Sequence, residues 1–191
     1  MKEQLKNITS IRMGYPFRTR IRSQKSGDIH VIQMKDLNDE NFVDCSGLVL
    51  AQIDKVKEHH FIQTKDLIFR SRGQSATTAI LMDDLDKAVV AAPLILIRVS
   101  RDSVLPEYLN WFFSQIQVQK WFTSRREGTH GGMISKLTLE NLEIDIPSID
   151  KQRKILDVDK LLKKERNLTE KILEKRNQFI SSLLMQLAKG E

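Results

Sequence analysis

Three short stretches of the chain place arginine or lysine beside small polar residues, a combination suited to binding DNA. The first lies between Glu3 and Asp28 and holds no acidic residue, the second is residues 70–75, and the third is residues 120–136. Arginine and lysine neutralise phosphates, and glycine lets backbone N–H groups approach them. Arginine and glutamine can also pair with guanine and adenine. The residues predicted to contact DNA are Arg12, Tyr15, Arg18, Arg20, Arg22, Arg70, Arg72, Gln74, Ser75, Arg125, Arg126, Thr129, His130 and Lys136. The alternative is that these stretches are solvated surface loops.

The positive charge is spread unevenly along the chain. The net charge is +6 and the pI about 9.4. Residues 151–191 hold 11 of the 31 Lys and Arg but only 6 of the 25 Asp and Glu. The first 150 residues are therefore almost neutral, so any DNA-binding surface there must be a local patch.

The chain lacks the motifs of several enzyme classes. It has no phosphate loop and no dinucleotide-binding loop. It has no Pro-Pro pair, as a DNA amino-methyltransferase would need, and no acidic residue followed two positions later by lysine, as in many nucleases. One cysteine and four histidines are too few for the usual zinc clusters. We interpret the chain as non-catalytic, without metal or cofactor. The lone cysteine and the lack of an apolar signal core favour the cytoplasm.

The predicted elements that must position these stretches form a β-rich domain followed by a long helix, an α+β fold. Short apolar runs bounded by turn residues predict strands at residues 29–34, 66–69, 77–82, 94–99 and 142–146. One helix, with Pro106 in its first turn, is predicted over about residues 106–123. We expect the domain to end at Pro147, giving a recognition domain at 1–147 and a helical region at 148–191.

Residues from about 150 to 188 contain neither proline nor glycine and predict one helix roughly 57 Å long at ~1.5 Å per residue. Its apolar residues recur on one face, which overhangs a small domain and must be buried against something. A coiled coil with a partner chain is the expected arrangement. The alternatives are a helix folded back on its own domain, or one broken near Asn167 into a hairpin. The residues expected at the dimer contact are Leu161, Leu168, Ile172, Phe179, Leu183 and Leu187.

Several of these segments carry a family resemblance in their order and spacing. They are residues 5–8 and 12–18, IHVIQMKDL at 29–37, KDLIFRSRG at 65–73, PEYL at 106–109, the run from Gly128 through Lys136 to Pro147, and Gln152 with Ile155. Together they resemble the DNA-specificity subunit of Type I restriction-modification enzymes, with one target-recognition domain and one conserved helical region. The family usually has glycine where this chain has Lys65, so that turn is expected to differ.

The resemblance implies a subunit that reads double-stranded DNA and holds methyltransferase (modification) and restriction subunits on the target. It implies no cofactor, since S-adenosylmethionine belongs to the modification subunit. Full-length members have two recognition domains and two helical regions that pair as an antiparallel coiled coil. A chain with one of each is expected to restore the pair as a homodimer, and a symmetric dimer predicts a palindromic, bipartite target. The rival hypothesis is an interaction scaffold whose helix recruits partners while its domain reads no DNA.

Overall fold

The structure, a computed structural model, describes residues 2–23, 26–73, 76–127 and 132–189. Contacts divide the chain into two compact units, Met1–Gln152 and Arg153–Glu191. The strands are β1 (Lys2–Gln4), β2 (Thr9–Met13), β3 (Ile29–Ile32), β4 (Val49–Ala51), β5 (Leu67–Phe69), β6 (Thr78–Ile80), β7 (Ala88–Val90), β8 (Ile95–Val99) and β9 (Glu143–Asp145). The helices are α1 (Pro106–Phe113), α2 (Ile116–Thr123), α3 (Lys136–Glu140) and α4 (Ile149–Lys189). The α+β fold and the long C-terminal helix are confirmed.

Two sheets enclose the core of the first unit. One has the strand order β2-β8-β5-β6, all antiparallel, and the other has β4-β3-β7, in which β3 and β7 are parallel. Buried Ile32 and Val90 from the smaller sheet pack in one cluster with Ile68 and Leu96 from the larger sheet. The opposite face of the smaller sheet, with Val31, is covered by other apolar side chains, among them Tyr15, Phe17 and Phe61.

The predicted single helix over residues 106–123 is wrong: the structure has two helices, α1 and α2. Ser114 ends α1, and Gln115 adopts extended backbone angles before α2 begins. At ~100° per residue, Phe113 and Phe122 would point to opposite sides of one straight helix. The break lets both rings reach buried Phe69, at centroid distances of 5.8 and 5.2 Å, and stack on each other at 5.9 Å. Tertiary packing therefore overrides the local helical pattern.

One six-residue sequence motif occurs twice in the first unit with one residue changed, and its backbone differs: the first copy contains a 3-10 helix, Met34–Asp36, whereas the second forms a turn. Residues 32–37 read IQMKDL and residues 62–67 read IQTKDL. In each, a buried aspartate accepts the backbone N–H of the preceding glutamine at 2.8 Å, Asp36 from Gln33 and Asp66 from Gln63. Lys65 of the second copy has φ 71°, in the left-handed region that favours glycine. The backbone there takes the conformation that a glycine would adopt easily, so the expected difference at this turn lies in the side chain.

Only the second of these aspartates also binds an arginine. Arg98 on β8 donates to both carboxylate oxygens of Asp66, at 2.8 and 2.6 Å, and to the Phe61 carbonyl at 2.9 Å. Hydrogen bonding to Asp66 raises the pKa of Arg98 further above its ordinary value. Since Asp66 is 2% exposed, this pair fixes the turn before β5 to the neighbouring strand.

Gln152, in the first turn of α4, is fully buried and links three backbone groups of the first unit. Its amide donates to the carbonyls of Ser103 and Pro147, each at 2.8 Å, and accepts the Leu105 N–H at 2.9 Å. This accounts for a glutamine, rather than an apolar residue, at the start of the helical region.

The second unit is the rest of α4. It is helical throughout, so the predicted alternative of a hairpin broken near Asn167 is wrong. The six residues expected at a dimer contact are all 45–68% exposed. None of the helices in the described ranges is both long and apolar enough to cross a membrane.

The repeated motif gives an internal control for the ion pair. We expect Asp66→Ala to lower the free energy of unfolding by roughly 3–4 kcal/mol, because it removes a cap and strands a half-buried guanidinium. Asp36→Ala removes the same backbone hydrogen bond but only an ion pair with exposed Lys35 at 3.5 Å, and should cost about 1–2 kcal/mol. Urea denaturation measures both. Equal losses of unfolding free energy in the two variants would show that the Asp66–Arg98 ion pair does not contribute to stability.

Candidate nucleic-acid interface

The first two basic stretches leave the larger sheet at the same end. β2 and β5 both run antiparallel to β8, and their last residues, Met13 and Phe69, are both register partners of Ile95, the first residue of β8. Residues 14–23 continue from β2, and residues 70–73 continue from β5. The two chains therefore emerge on either side of the start of β8. We name this end of the sheet the loop end.

The third stretch is bonded directly to the second. The Ile134 N–H donates to the Ser71 carbonyl at 2.8 Å, and the Arg126 guanidinium donates to the Gly73 carbonyl. The Ser71 hydroxyl in turn donates to the Pro93 carbonyl at 2.6 Å. These contacts bring Arg126 and Ile134 to the loop end.

The first stretch is held against the same segment that Ser71 contacts. The Gly14 N–H donates to the Leu94 carbonyl at 2.9 Å, and the Tyr15 N–H donates to the Val90 carbonyl at 2.6 Å. A Cβ on Gly14 would stand 2.7 Å from the Val90 oxygen, so only glycine permits this approach. Residues 90–94 therefore contact the first and second stretches directly, and the third stretch is joined to them through the second.

An open cleft of about 610 Å³ lies beside the first stretch. The Tyr15 ring packs edge-on against Phe17 and His60, with centroids 5.0 and 5.4 Å apart. The basic residues lining the cleft are Arg18, Lys55 and Lys57, and Asp54 is also present. An aromatic wall with a positive rim is suited to contact with bases and phosphates.

His60 does not add to this positive charge at neutral pH. Burial lowers its pKa, and electrostatic interaction with His59, Lys57 and Arg12 lowers it further. The imidazole is therefore neutral near pH 7 and acts as part of the aromatic wall.

Four predicted DNA-contacting arginines bind groups of the protein itself. Arg12 donates to the His59 carbonyl at 3.0 Å, and half-buried Arg70 donates to the Leu37 carbonyl. Arg126 bonds Gly73, as described above. The guanidinium of Arg125 lies 4.2 Å from the centre of the Trp121 ring, where it borders a separate cleft with Asn141 and Asp145. Arg125 thus borders a different cleft from the one beside the first stretch.

The remaining predicted residues are more exposed. Arg18, Arg20, Arg22 and Arg72 have exposed side chains and make none of the hydrogen bonds or ion pairs found within the described ranges. Lys136, at the start of α3, lies 3.4 Å from Glu140. Gln74, Ser75, Thr129 and His130 lie outside the described residues.

Sequence reasoning missed the far wall of the cleft. Lys55, Lys57 and His60 come from the segment after β4, some forty positions beyond Tyr15. The basic composition of this segment is visible in the sequence, since residues 55–60 read KVKEHH. Only the fold, however, places the segment beside the first stretch.

The sequence model of the Type I restriction modification DNA specificity domain matches residues 1–178. The chain belongs to this family. No curated protein gives a match. The specificity domain nevertheless matches several solved structures in fold.

One is the HsdS subunit from Thermoanaerobacter tengcongensis, with a TM-score of 0.64 and 16% identity over 86% of this chain and 37% of that one. A second is a structure described as the structural basis of complex assembly and conformational transition of the type I R-M system. Its TM-score is 0.62, with 16% sequence identity over 88% of this chain and 39% of that one. A third is the S subunit of a Type I restriction-modification system from M. genitalium. Its TM-score is 0.54, with 15% sequence identity over 92% of this chain and 42% of that one. The chain thus spans about two fifths of the length of these relatives.

The two nearby arginines of the second stretch are predicted to differ in role. We expect Arg70→Ala to lower the free energy of unfolding by about 1–3 kcal/mol, because it leaves the Leu37 carbonyl without its charged donor. Arg72→Ala, the matched control on an exposed side chain, should change it by less than about 0.5 kcal/mol. Urea denaturation of both variants measures this. Equal stability of the two would contradict a structural role for Arg70.

Proposed function

We propose that this chain is the non-catalytic, sequence-specific DNA-recognition component of a Type I restriction-modification system. The observation that carries the proposal is that the first two basic stretches leave the larger sheet at the loop end, where Arg126 and Ile134 of the third stretch bond to the second. Family membership supports the proposal. The grouping of basic stretches at one end also disfavours the scaffold alternative, which gives no reason for it.

The arginines divide the work at this surface. Arg12, Arg70 and Arg126 hold loops in place by bonding backbone carbonyls. Exposed Arg18, Arg20, Arg22 and Arg72 are the side chains that would reach phosphates and guanines. A rigid base under exposed arginines is what base reading requires, because a contact must hold its geometry to discriminate.

The partners we propose are double-stranded DNA and the methyltransferase and restriction subunits. The chemistry would lie on those other chains, and S-adenosylmethionine would bind the methyltransferase subunit. The likeness in fold to a chain studied for complex assembly of the type I R-M system supports this arrangement. The specificity domain would select the site and hold the other subunits there, in the cytoplasm.

We further propose that the chain forms a homodimer through a coiled coil of α4. Six large apolar side chains on one face, each about half exposed or more, support this, because such a stripe is costly in water. A twofold dimer would read a palindromic, bipartite target.

Removing exposed arginines should weaken DNA binding without unfolding the domain. We expect Arg20→Ala plus Arg72→Ala to reduce affinity roughly ten-fold or more and to lower the slope of log affinity against log salt by about 2, one for each lost phosphate contact. The target duplex is first selected from random-sequence DNA in the presence of the methyltransferase subunit of the same restriction-modification system. Fluorescence anisotropy at several salt concentrations then gives both quantities.

The matched control is Arg101→Ala. Arg101 follows β8 at the opposite end of the larger sheet, where it pairs with Glu3 at 3.0 Å. Its removal should leave affinity and salt slope unchanged. No measurable binding by the unaltered chain with its methyltransferase would contradict the proposed DNA recognition.

Charges placed in the stripe should separate the dimer. We expect Leu168→Asp plus Ile172→Asp to convert a dimer to a monomer at micromolar concentration, since each charge would be buried against apolar side chains. Asn167→Asp plus Gln178→Asp adds the same charge to the other side of α4 and should leave the dimer intact. Light scattering distinguishes these outcomes. An unaltered chain that is already monomeric would refute the homodimer.

A further inference from the structure

One side of α4 carries a row of exposed polar side chains that is rich in lysine. On a helix, residues three and four positions apart are neighbours on the same face. Following such steps from residue 153 to residue 182 gives nine residues, all exposed and none of them apolar. We name this set the lysine row, and its members are Arg153, Asp157, Lys160, Lys164, Asn167, Lys171, Lys175, Gln178 and Ser182.

The lysine row has a strong excess of positive charge. Its five cations follow one another at steps of seven, four, seven and four residues, from Arg153 to Lys175. Asp157 is its one acidic residue, which leaves a net charge of +4. At ~1.5 Å per residue the cations extend over about 33 Å, close to the ~34–36 Å of one turn of B-DNA.

The rest of the polar surface of α4 has no such excess. A second row, on the side away from the apolar stripe, holds two cations and three acidic residues. Lys163 in this row pairs with Asp159 at 2.8 Å. We name it the mixed row, and its members are Asp159, Lys163, Arg166, Glu170, Glu174, Asn177 and Ser181. The positive charge of α4 is therefore concentrated on one side.

The lysines of the lysine row are not neutralised by acidic neighbours. Lys160, Lys164 and Lys171 make none of the hydrogen bonds or ion pairs found in the part of the chain that the structure describes. Lys175 donates to the neutral amide oxygen of Gln178, at 3.2 Å. At ~100° per residue, the centre of the row lies about 90° around the helix from the apolar stripe. A partner helix on the stripe would thus leave these lysines accessible.

The composition of the lysine row suits phosphates better than a protein surface. Protein interfaces are depleted in lysine and enriched in aromatic residues, whereas this row has four lysines and no aromatic residue. Lysine, asparagine, glutamine and serine all donate hydrogen bonds to phosphate oxygens. Lysine acts there as a point charge that needs no fixed geometry. A straight line of such charges complements the regular line of negative charge along a duplex.

Resting on the DNA recognition proposed above, we propose that the lysine row of α4 binds the phosphates of duplex DNA without regard to base sequence. The loop end would select the site, and the lysine row would add affinity by releasing counterions from the DNA. Phosphate contacts position a protein on DNA, whereas base contacts specify the sequence. The helical region would then bind DNA as well as a second chain.

Removing two lysines tests the contact. We expect Lys164→Gln plus Lys171→Gln to reduce affinity for the selected target duplex roughly ten-fold or more near ~0.1 M salt. The slope of log affinity against log salt should fall by about 2 for each bound chain. Affinity for a duplex of unrelated sequence should fall by the same factor, so discrimination between the two duplexes stays unchanged. Fluorescence anisotropy with the methyltransferase subunit present measures all three quantities.

The matched control removes the same amount of charge from the mixed row. Lys163→Gln plus Arg166→Gln should leave affinity and salt slope nearly unchanged. Glutamine has nearly the helix propensity of lysine and arginine, and circular dichroism checks that α4 stays helical in both double variants. Equal losses of affinity in the two double variants would show that net charge alone matters, and would refute the lysine row as a site.

Photocrosslinking tests proximity to DNA directly. A photoactivatable azidophenacyl group attached to Lys164→Cys should crosslink the target duplex. The same group on the adjacent Lys163→Cys, which projects about 100° away, should crosslink at much lower yield. The unaltered chain is the labelling control, since burial and the nearby Asp83 raise the pKa of its only thiol, Cys45, to about 12.

The outcomes separate this inference from the function on which it rests. No DNA binding by the unaltered chain with the methyltransferase subunit refutes both. Unchanged DNA binding by Lys164→Gln plus Lys171→Gln refutes the lysine row and leaves recognition at the loop end standing. Isothermal titration calorimetry without DNA measures binding of the methyltransferase subunit to the same variant. Loss of that binding with DNA affinity retained assigns the row to a protein partner and refutes the inference. Loss of DNA affinity and salt slope with that binding intact, together with the Lys164→Cys crosslink, supports it.

Discussion

β8 is the strand on which the arrangement of the basic loop end depends. Because β2 and β5 both pair antiparallel with it, they run in the same direction and finish opposite the same residue, Ile95. Segments that follow strands far apart in the sequence are thereby brought side by side. The Asp66–Arg98 pair strengthens the arrangement by tying the turn before β5 to β8 itself. A nearly neutral domain can therefore concentrate positive charge at one end without being basic as a whole.

The positive side chains at this end fall into two groups: those that hydrogen-bond backbone carbonyls and those that are exposed. A guanidinium that donates to a buried carbonyl, as Arg70 does to Leu37, satisfies a group that would otherwise be costly to bury. Such an arginine is committed to the fold and is poorly placed to bind phosphate as well. The exposed arginines of the first stretch carry no such commitment. Net charge alone therefore overstates how many cations the surface can offer to DNA.

Elements with strong local patterns were predictable, and those fixed by distant contacts were not. The alternation of Leu142, Ile144 and Ile146 identified β9, and the absence of proline and glycine identified α4. β4 and β7 were not predicted from the sequence, and both pair with β3, which lies between them in the smaller sheet. The break between α1 and α2 depends on Phe69, some forty residues away. The cleft beside Tyr15 likewise needs Lys55 and Lys57, which only the smaller sheet brings near.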